Sequence, residues 1–346
     1  MLSSTRLPLL IITLLVGVLL SAGKIQQDHT PETVSKPLPK SDTAGITKAT
    51  KVTTTTAYKV EKIASQLGRP WAVITLPDGR LLLTEKSGFM TLHSSDGALL
   101  KKITNLPAVE KGGQGGLLDV AIDPAFTQNK VIYWSYSEKQ EAGGNLTAVA
   151  KGKLSADESA LEQITVIFRA TPALDSRSHF GSRLQFDKAG HLFVSVGERS
   201  ILEGRRQAQL LNSGLGKIFK ITTNGKPAPG NPFAGQPDVQ PGIYSYGHRN
   251  PQGLDIHPVT GELWENEFGP KGGDEVNRVL PGKNYGWPVI TYGLEYSGTK
   301  VGGGIQAMAG MEQPVYYWNP VVSPAEWYFI QEMPYQSGRT IFLLPA

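Results

Sequence analysis

An all-β chain folded as a propeller is what this sequence predicts, and three observations predict it. Hairpin-like units recur, as "VITLPDGRLLLTEKSGFMTLHSSDG" from Val73, "LQFDKAGHLFVSVGE" from Leu184 and "LDIHPVTGELWENEFG" from Leu254. Gly (39) and Pro (24) are abundant in the 346 residues, which favours turns over long helices. Few stretches carry the apolar spacing of an amphipathic helix of normal length. Repeated hairpins without helical period are the signature of a propeller.

The elements follow in chain order. Residues 1–23 read as an export signal: Arg6, an apolar run from Leu7 to Leu20, then Ser21-Ala22-Gly23. The run is short for a stable membrane span, and an uncleaved anchor is the alternative. Residues 24–57, rich in Thr, Pro and Lys with almost no aromatics, read as a flexible linker. The body of the protein is therefore expected to be periplasmic or secreted, or else held at the outer face of the cytoplasmic membrane by the leader. From residue 58 to 324 short apolar runs alternate with turns. In each recurring unit a turn closes on a glycine (Gly79, Gly190, Gly261), and a second strand begins at Leu81, Leu192 or Leu263. The glycine is needed where the turn takes a positive φ.

Composition excludes several classes. There is no Cys, so disulfides, thiolate metal sites and a lipid-modified cysteine are ruled out, and any metal must take oxygen or imidazole ligands. The net charge of +4 comes partly from Lys24, Lys36, Lys40, Lys48 and Lys51, with no long basic run or aromatic–basic stripe. Nucleic acid is therefore not an expected partner. No G-x-G-x-x-G phosphate loop and no G-x-S-x-G nucleophile elbow occurs.

Four stretches carry chemistry. In "DSRSHFGSRLQF", His179 stands at the mouth of a strand, either a general base or a hydrogen-bonded structural histidine. In "KGGQGGLLDVAIDPAF", Gln114 sits among four glycines, which permit close backbone approach to a ligand or simply make a tight turn. Asp119 and Asp123 there are assigned to turns and solvent. "SYGHRNPQGLDIHP" crowds Arg249 and Asn250 ahead of Pro251, a planar fork beside an amide that both donates and accepts. "EFGPKGGDEVN" offers the carboxylates of Asp274 and Glu275 and a Gly269-Pro270 turn, either an oxygen-ligand calcium site or an acidic loop.

Together with "LGRPWAVITLPDGRLLLTEKSG", "GKNYGWPVITYG" and "PVYYWNP", these motifs resemble the PQQ-dependent aldose sugar dehydrogenases, quinoproteins of the soluble glucose dehydrogenase and sorbosone dehydrogenase type. The resemblance runs from about Val60 to about Pro324. It implies a six-bladed β-propeller with pyrroloquinoline quinone (PQQ) and Ca2+ on its top face. It implies oxidation of an aldose at the anomeric carbon to the lactone, with His179 as catalytic base and an unidentified electron acceptor downstream. Gln114, Arg249, Asn250 and Tyr296 align with cofactor contacts, and Gly269 and Pro270 with carbonyls holding the calcium. Glu275 and Tyr285 align with ligands of another calcium. Phe268 departs from the family, which usually has a polar residue before Gly-Pro.

The tail departs further. Residues 325–346, "AEWYFIQEMPYQSGRTIFLLPA", do not read like a blade. The same stretch can be encoded so that another frame spells "GMVFYTGDALPEWQDNLFAA", which fits the family closely. A base lost or gained near the codons for Pro324 and Ala325 accounts for this, the alternative being a designed or natural shorter tail. The propeller is then incomplete at its C-terminus and the enzyme inactive as written. Two other functions compete: a calcium-dependent propeller hydrolase of the lactonase type, and a non-catalytic binding propeller.

Overall fold

The computed structural model describes residues 61–328. The predicted leader, the linker to residue 57 and most of the tail lie outside that range. The described residues form four antiparallel four-stranded sheets, each built from consecutive strands. The first holds β1 (Pro70–Thr75), β2 (Leu81–Glu85), β3 (Phe89–His93) and β4 (Leu99–Ile103). The second holds β5 (Leu117–Ile122), β6 (Val131–Lys139), β7 (Asn145–Leu154) and β8 (Leu161–Arg169). The third holds β9 (Leu184–Phe186), β10 (Leu192–Val196), β11 (Lys217–Ile221) and β12 (Ile243–Tyr246). The fourth holds β13 (Pro251–Ile256), β14 (Leu263–Glu267), β15 (Asp274–Val279) and β16 (Tyr316–Trp318).

The first strand of each sheet faces the first strand of the next: β1 against β5, β5 against β9, β9 against β13. That is the radial arrangement of propeller blades around an axis. The expected six blades are corrected to four among the described residues. The reason is chain length. Sixteen strands consume the chain as far as Trp318, and 36 residues between Val279 and Tyr316 go into a long excursion rather than a blade.

The three recognised turns form as expected. Gly79, Gly190 and Gly261 take φ of 85°, 79° and 71°, and the following strands start at Leu81, Leu192 and Leu263. The second sheet solves the same corner differently, which hid it from the repeat. A single helical turn, α1 (Phe126–Asn129), ends at Lys130 in the left-handed region. Asp123 fixes it, its Oδ1 accepting from Ala125 N and Asn129 Nδ2, each at 2.9 Å. The other described helix, α2 (Leu202–Gln207), is also short, with six residues.

Strand alternation builds the core. On β6, Ile132, Trp134 and Tyr136 pack toward the first sheet with Met90, Leu92 and Ile103, while Tyr133 packs toward the third with Val194 and Phe219. On β10, Leu192, Val194 and Val196 face the second sheet and Phe193 faces the fourth. Trp134 is wholly buried between the first two sheets. Trp134→Ala is expected to cost about 3–5 kcal/mol of stability, since the void is too tightly framed to collapse. A urea midpoint that does not move would contradict this packing.

Candidate active site

Successive strands run antiparallel, so each blade brings the start of its first strand and the end of its second to the same rim. Gln114 precedes β5, His179 precedes β9, and Arg249 and Asn250 precede β13. Glu198 follows β10, and Gly269 and Pro270 follow β14. The expected cofactor residues therefore gather at one end of the blades, from loops far apart in sequence.

His179 is held from two sides. Its backbone takes φ of 50°, a strained value for a non-glycine residue, and its N–H donates to Gln114 Oε1 at 2.7 Å. Its Nδ1 lies 2.8 Å from Glu198 Oε1. Glu198 is fully buried, and its second oxygen accepts from Ser200 N at 2.8 Å. The pairing fixes the tautomer: Nδ1–H donates to Glu198, and Nε2 keeps its lone pair with no protein partner among the described residues. Burial lowers the His179 pKa below 6.5, opposed by the hydrogen bond to Glu198 and reinforced by the positive charges of Arg249 and Arg199. The imidazole is thus a neutral base at neutral pH. Since the folded pKa lies below the free value, activity that needs neutral His179 persists above that pKa and falls with acidification from below pH 6.5.

Glu198 was missed in the sequence. The available signal was an acidic residue at the end of an apolar strand, in "LFVSVGE". Glu198→Gln is expected to lower turnover by about 10- to 100-fold and to move the acid limb of the pH–rate profile to lower pH, because the influence that raises the His179 pKa is lost. An unchanged profile would mean that the pair does not act on the base.

Asn250 Oδ1 accepts from Gly181 N and Gln252 Nε2, both at 3.1 Å, leaving its buried Nδ2 without an acceptor. Arg249 Nη1 donates to the carbonyls of Phe268 and Gly269 at 2.8 and 2.7 Å, and its Nε is unpaired. The Gly269 carbonyl therefore already accepts one hydrogen bond and keeps one lone pair for a metal. Tyr296 is exposed, its hydroxyl 3.5 Å from Arg249 Nη2. Beside these groups a cavity of about 150 Å3 is lined by Trp71, Lys86, Phe180, Ser182 and Phe268, with Gln114 and Gln252.

The Gly269–Pro270 loop is braced by Asp274, whose Oδ1 accepts from Gly269 N and whose Oδ2 accepts from Val322 and Ser323 N. Its carboxylate is committed to backbone. Glu275 and Tyr285 are not joined through their side chains. The Tyr285 hydroxyl donates to Arg278 O and accepts from Leu280 N, while its ring stacks on His248. Asp119 is also corrected: it is buried, 3.1 Å from Arg183 Nη1, and accepts from Leu184 N at 2.8 Å. A carboxylate inside strand β5 has no solvent to face, so the strand's burial on both sides forces a partner on it.

The sequence model described as Glucose / Sorbosone dehydrogenase matches residues 67–342. The chain belongs to the glucose/sorbosone dehydrogenase family. That match reaches past Pro324 and so spans most of the odd tail. Among relatives in the family, the aldose sugar dehydrogenase YliI of Escherichia coli is 41% identical over 80% of this chain and 74% of its own length. A solved glucose dehydrogenase is 43% identical, covers 76% of both chains and superposes with a TM-score of 0.72. The PQQ-bound aldose sugar dehydrogenase of Streptomyces coelicolor is 28% identical over 78% of this chain and 74% of its own, with a TM-score of 0.65.

Proposed function

We propose that this family member is a quinoprotein that oxidises the anomeric carbon of an aldose to the lactone, using PQQ and calcium. The observation that carries the reading is the His179–Glu198 pair at the blade rim, tied to the cavity wall through the hydrogen bond of His179 N–H to Gln114 and through the adjacent Phe180. The PQQ-bound relative supports the choice of cofactor.

The surrounding groups fit such a cofactor. Asn250 Nδ2, Arg249 Nε and Ser182 Oγ are buried polar atoms without partners among the described residues, and the first two can only donate. They suit a ligand rich in carbonyl and carboxylate oxygens. Trp71, Phe180 and Phe268 offer apolar surface to a flat ring system, and Lys86 adds positive charge at the wall. Phe268 offers no hydrogen bond there. When bound, PQQ supplies the two-electron acceptor for hydride. His179 Nε2 takes the proton of the anomeric hydroxyl as the C1 hydrogen leaves as hydride and C1=O forms. Glu198 stabilises the imidazolium that results, and Gln114 holds the His179 backbone in its strained conformation. Arg249 and Asn250 orient the reacting oxygens. The carbonyls of Gly269 and Pro270 would hold a calcium ion beside the quinone, and Glu275 with Tyr285 another. Tyr296, beside Arg249, would contact the cofactor.

The remaining parts of the proposal concern the whole chain. The leader directs it to the periplasm, where an acceptor protein or small quinone takes the electrons. Among the described residues no helix is long and apolar enough to cross a membrane. The complete ring has six blades, and the tail from Ala325 is out of frame. Exposed Val315, Val321 and Val322 near the last described strand support this, as apolar surface that a following blade would cover. A gene in which no other frame spells the family-like string would contradict the frame reading. Quinone absorbance retained on the protein after PQQ and calcium are added and excess is removed tests the function. A lactone hydrolase would retain none.

A further inference from the structure

A second polar cluster lies between the third and fourth sheets, apart from the cavity. Glu265 and Glu267 point from the same face of β14 and are cross-strand partners of Asn277 and Glu275 on β15. His248, just after β12, meets them from the other side. All of His248, Glu265 and Glu267 are buried. His248 Nδ1 lies 3.8 Å from Glu265 Oε1 and 3.5 Å from Glu267 Oε1, and ligand atoms of the three residues all fall within 4.8 Å of one another. Among the described residues neither His248 Nδ1 nor Glu265 Oε2 has a hydrogen-bond partner.

Buried carboxylates need protons, cations or metals to be tolerable. Among the described residues no Lys or Arg is ion-paired to Glu265 or Glu267; Glu267 Oε2 accepts instead the backbone N–H groups of Arg249 and Asn250 at 2.5 and 3.1 Å. The His–carboxylate gaps are too long for hydrogen bonds. They match the ~3.4 Å separation of two ligands around a tetrahedral ion bound at ~2.1 Å. Ser245 Oγ sits 2.8 Å from His248 Nε2 and can accept a hydrogen bond from Nε2–H, which leaves Nδ1 a lone pair facing the carboxylates.

We propose that His248, Glu265 and Glu267 bind a divalent transition-metal ion of the zinc type. One imidazole nitrogen with two carboxylates selects such an ion over calcium, which takes oxygen ligands. The site is distinct from the Gly269–Pro270 carbonyls and does not depend on the quinone reading. Through Glu267 the ion would fix the backbone of Arg249 and Asn250, and so act as a structural clamp between two blades under the rim.

The test uses the full chain without PQQ. The metal-free protein, incubated with Zn2+ and desalted, is expected to retain one equivalent and to melt several degrees higher, whereas Ca2+ gives neither effect. Co2+ in its place is expected to give visible absorption that His248→Gln abolishes. Glu265→Gln is expected to lose the bound Zn2+, and Glu265→Leu to melt higher than the parent without metal and gain nothing from Zn2+. Zn2+ absent from the parent, or retained equally by both Glu265→Gln and His248→Gln, would overturn the proposal.

Discussion

His179→Asn is expected to lower aldose turnover by about 10³-fold while the quinone still binds. The loss is that of a general base, whose contribution falls in the range of about 10²–10⁴. Asn is the chosen replacement because residue 179 takes φ of 50°, a conformation that Asn adopts more readily than most residues. The hydrogen bond from the backbone N–H to Gln114 can therefore survive. What disappears is the Nε2 lone pair and its support from Glu198. Steady-state rates with PQQ and calcium, alongside quinone absorbance on the same samples, separate the two effects. Normal turnover in the variant would remove His179 from the chemistry. Loss of the quinone along with activity would make it a structural residue instead.

Restoring the family-like reading frame after Pro324 is expected to raise activity by about 10²-fold or more over the chain as written. The described part of the tail explains the size of the effect. Ala325 O and Trp327 lie against Gly253 of β13, and Trp327 meets Trp264 of β14 edge-on. Glu326 reaches Arg183 at 3.3 Å, beside the buried Asp119. Burial and the added negative charge of Glu326 push Asp119 up to about 6, against the pull of Arg183. The tail as written thus places the Glu326 charge beside the first strands of two blades, and on the proposed frame reading it leaves the last blade without its neighbour. A misplacement of one ångström at the site costs about 10²-fold. Equal activity of the two chains, both soluble and both loaded with quinone, would mean that the described blades suffice.

The fold was legible where one local rule decided it. Gly79, Gly190 and Gly261 mark turns because positive φ there favours glycine, and each strand start followed at the expected leucine. The second sheet escaped the repeat because Asp123 and a left-handed Lys130 make its corner without glycine. Blade number was illegible, since it depends on how much chain the loops consume. At the site, His179, Gln114, Arg249 and Asn250 could be singled out because each stands in a distinctive local motif, Gln114 among glycines and the others in polar runs. Glu198 was not, because one acid after a strand looks like any strand end until the fold brings His179 to it. Asp119 was misread for the same reason: only the opposing strand supplies Arg183. The His248–Glu265–Glu267 cluster spans two blades, so no spacing within one segment announces it.

The most direct test of the account is reduction of the bound quinone, in the frame-restored chain with PQQ and calcium, by an aldose carrying deuterium at the anomeric carbon. The account predicts that quinone absorbance is bleached in a single turnover, more slowly with deuterium than with hydrogen, and not at all on that timescale in His179→Asn. Quinone that stays oxidised while aldose is present in excess, or bleaching that is independent of His179, would contradict it.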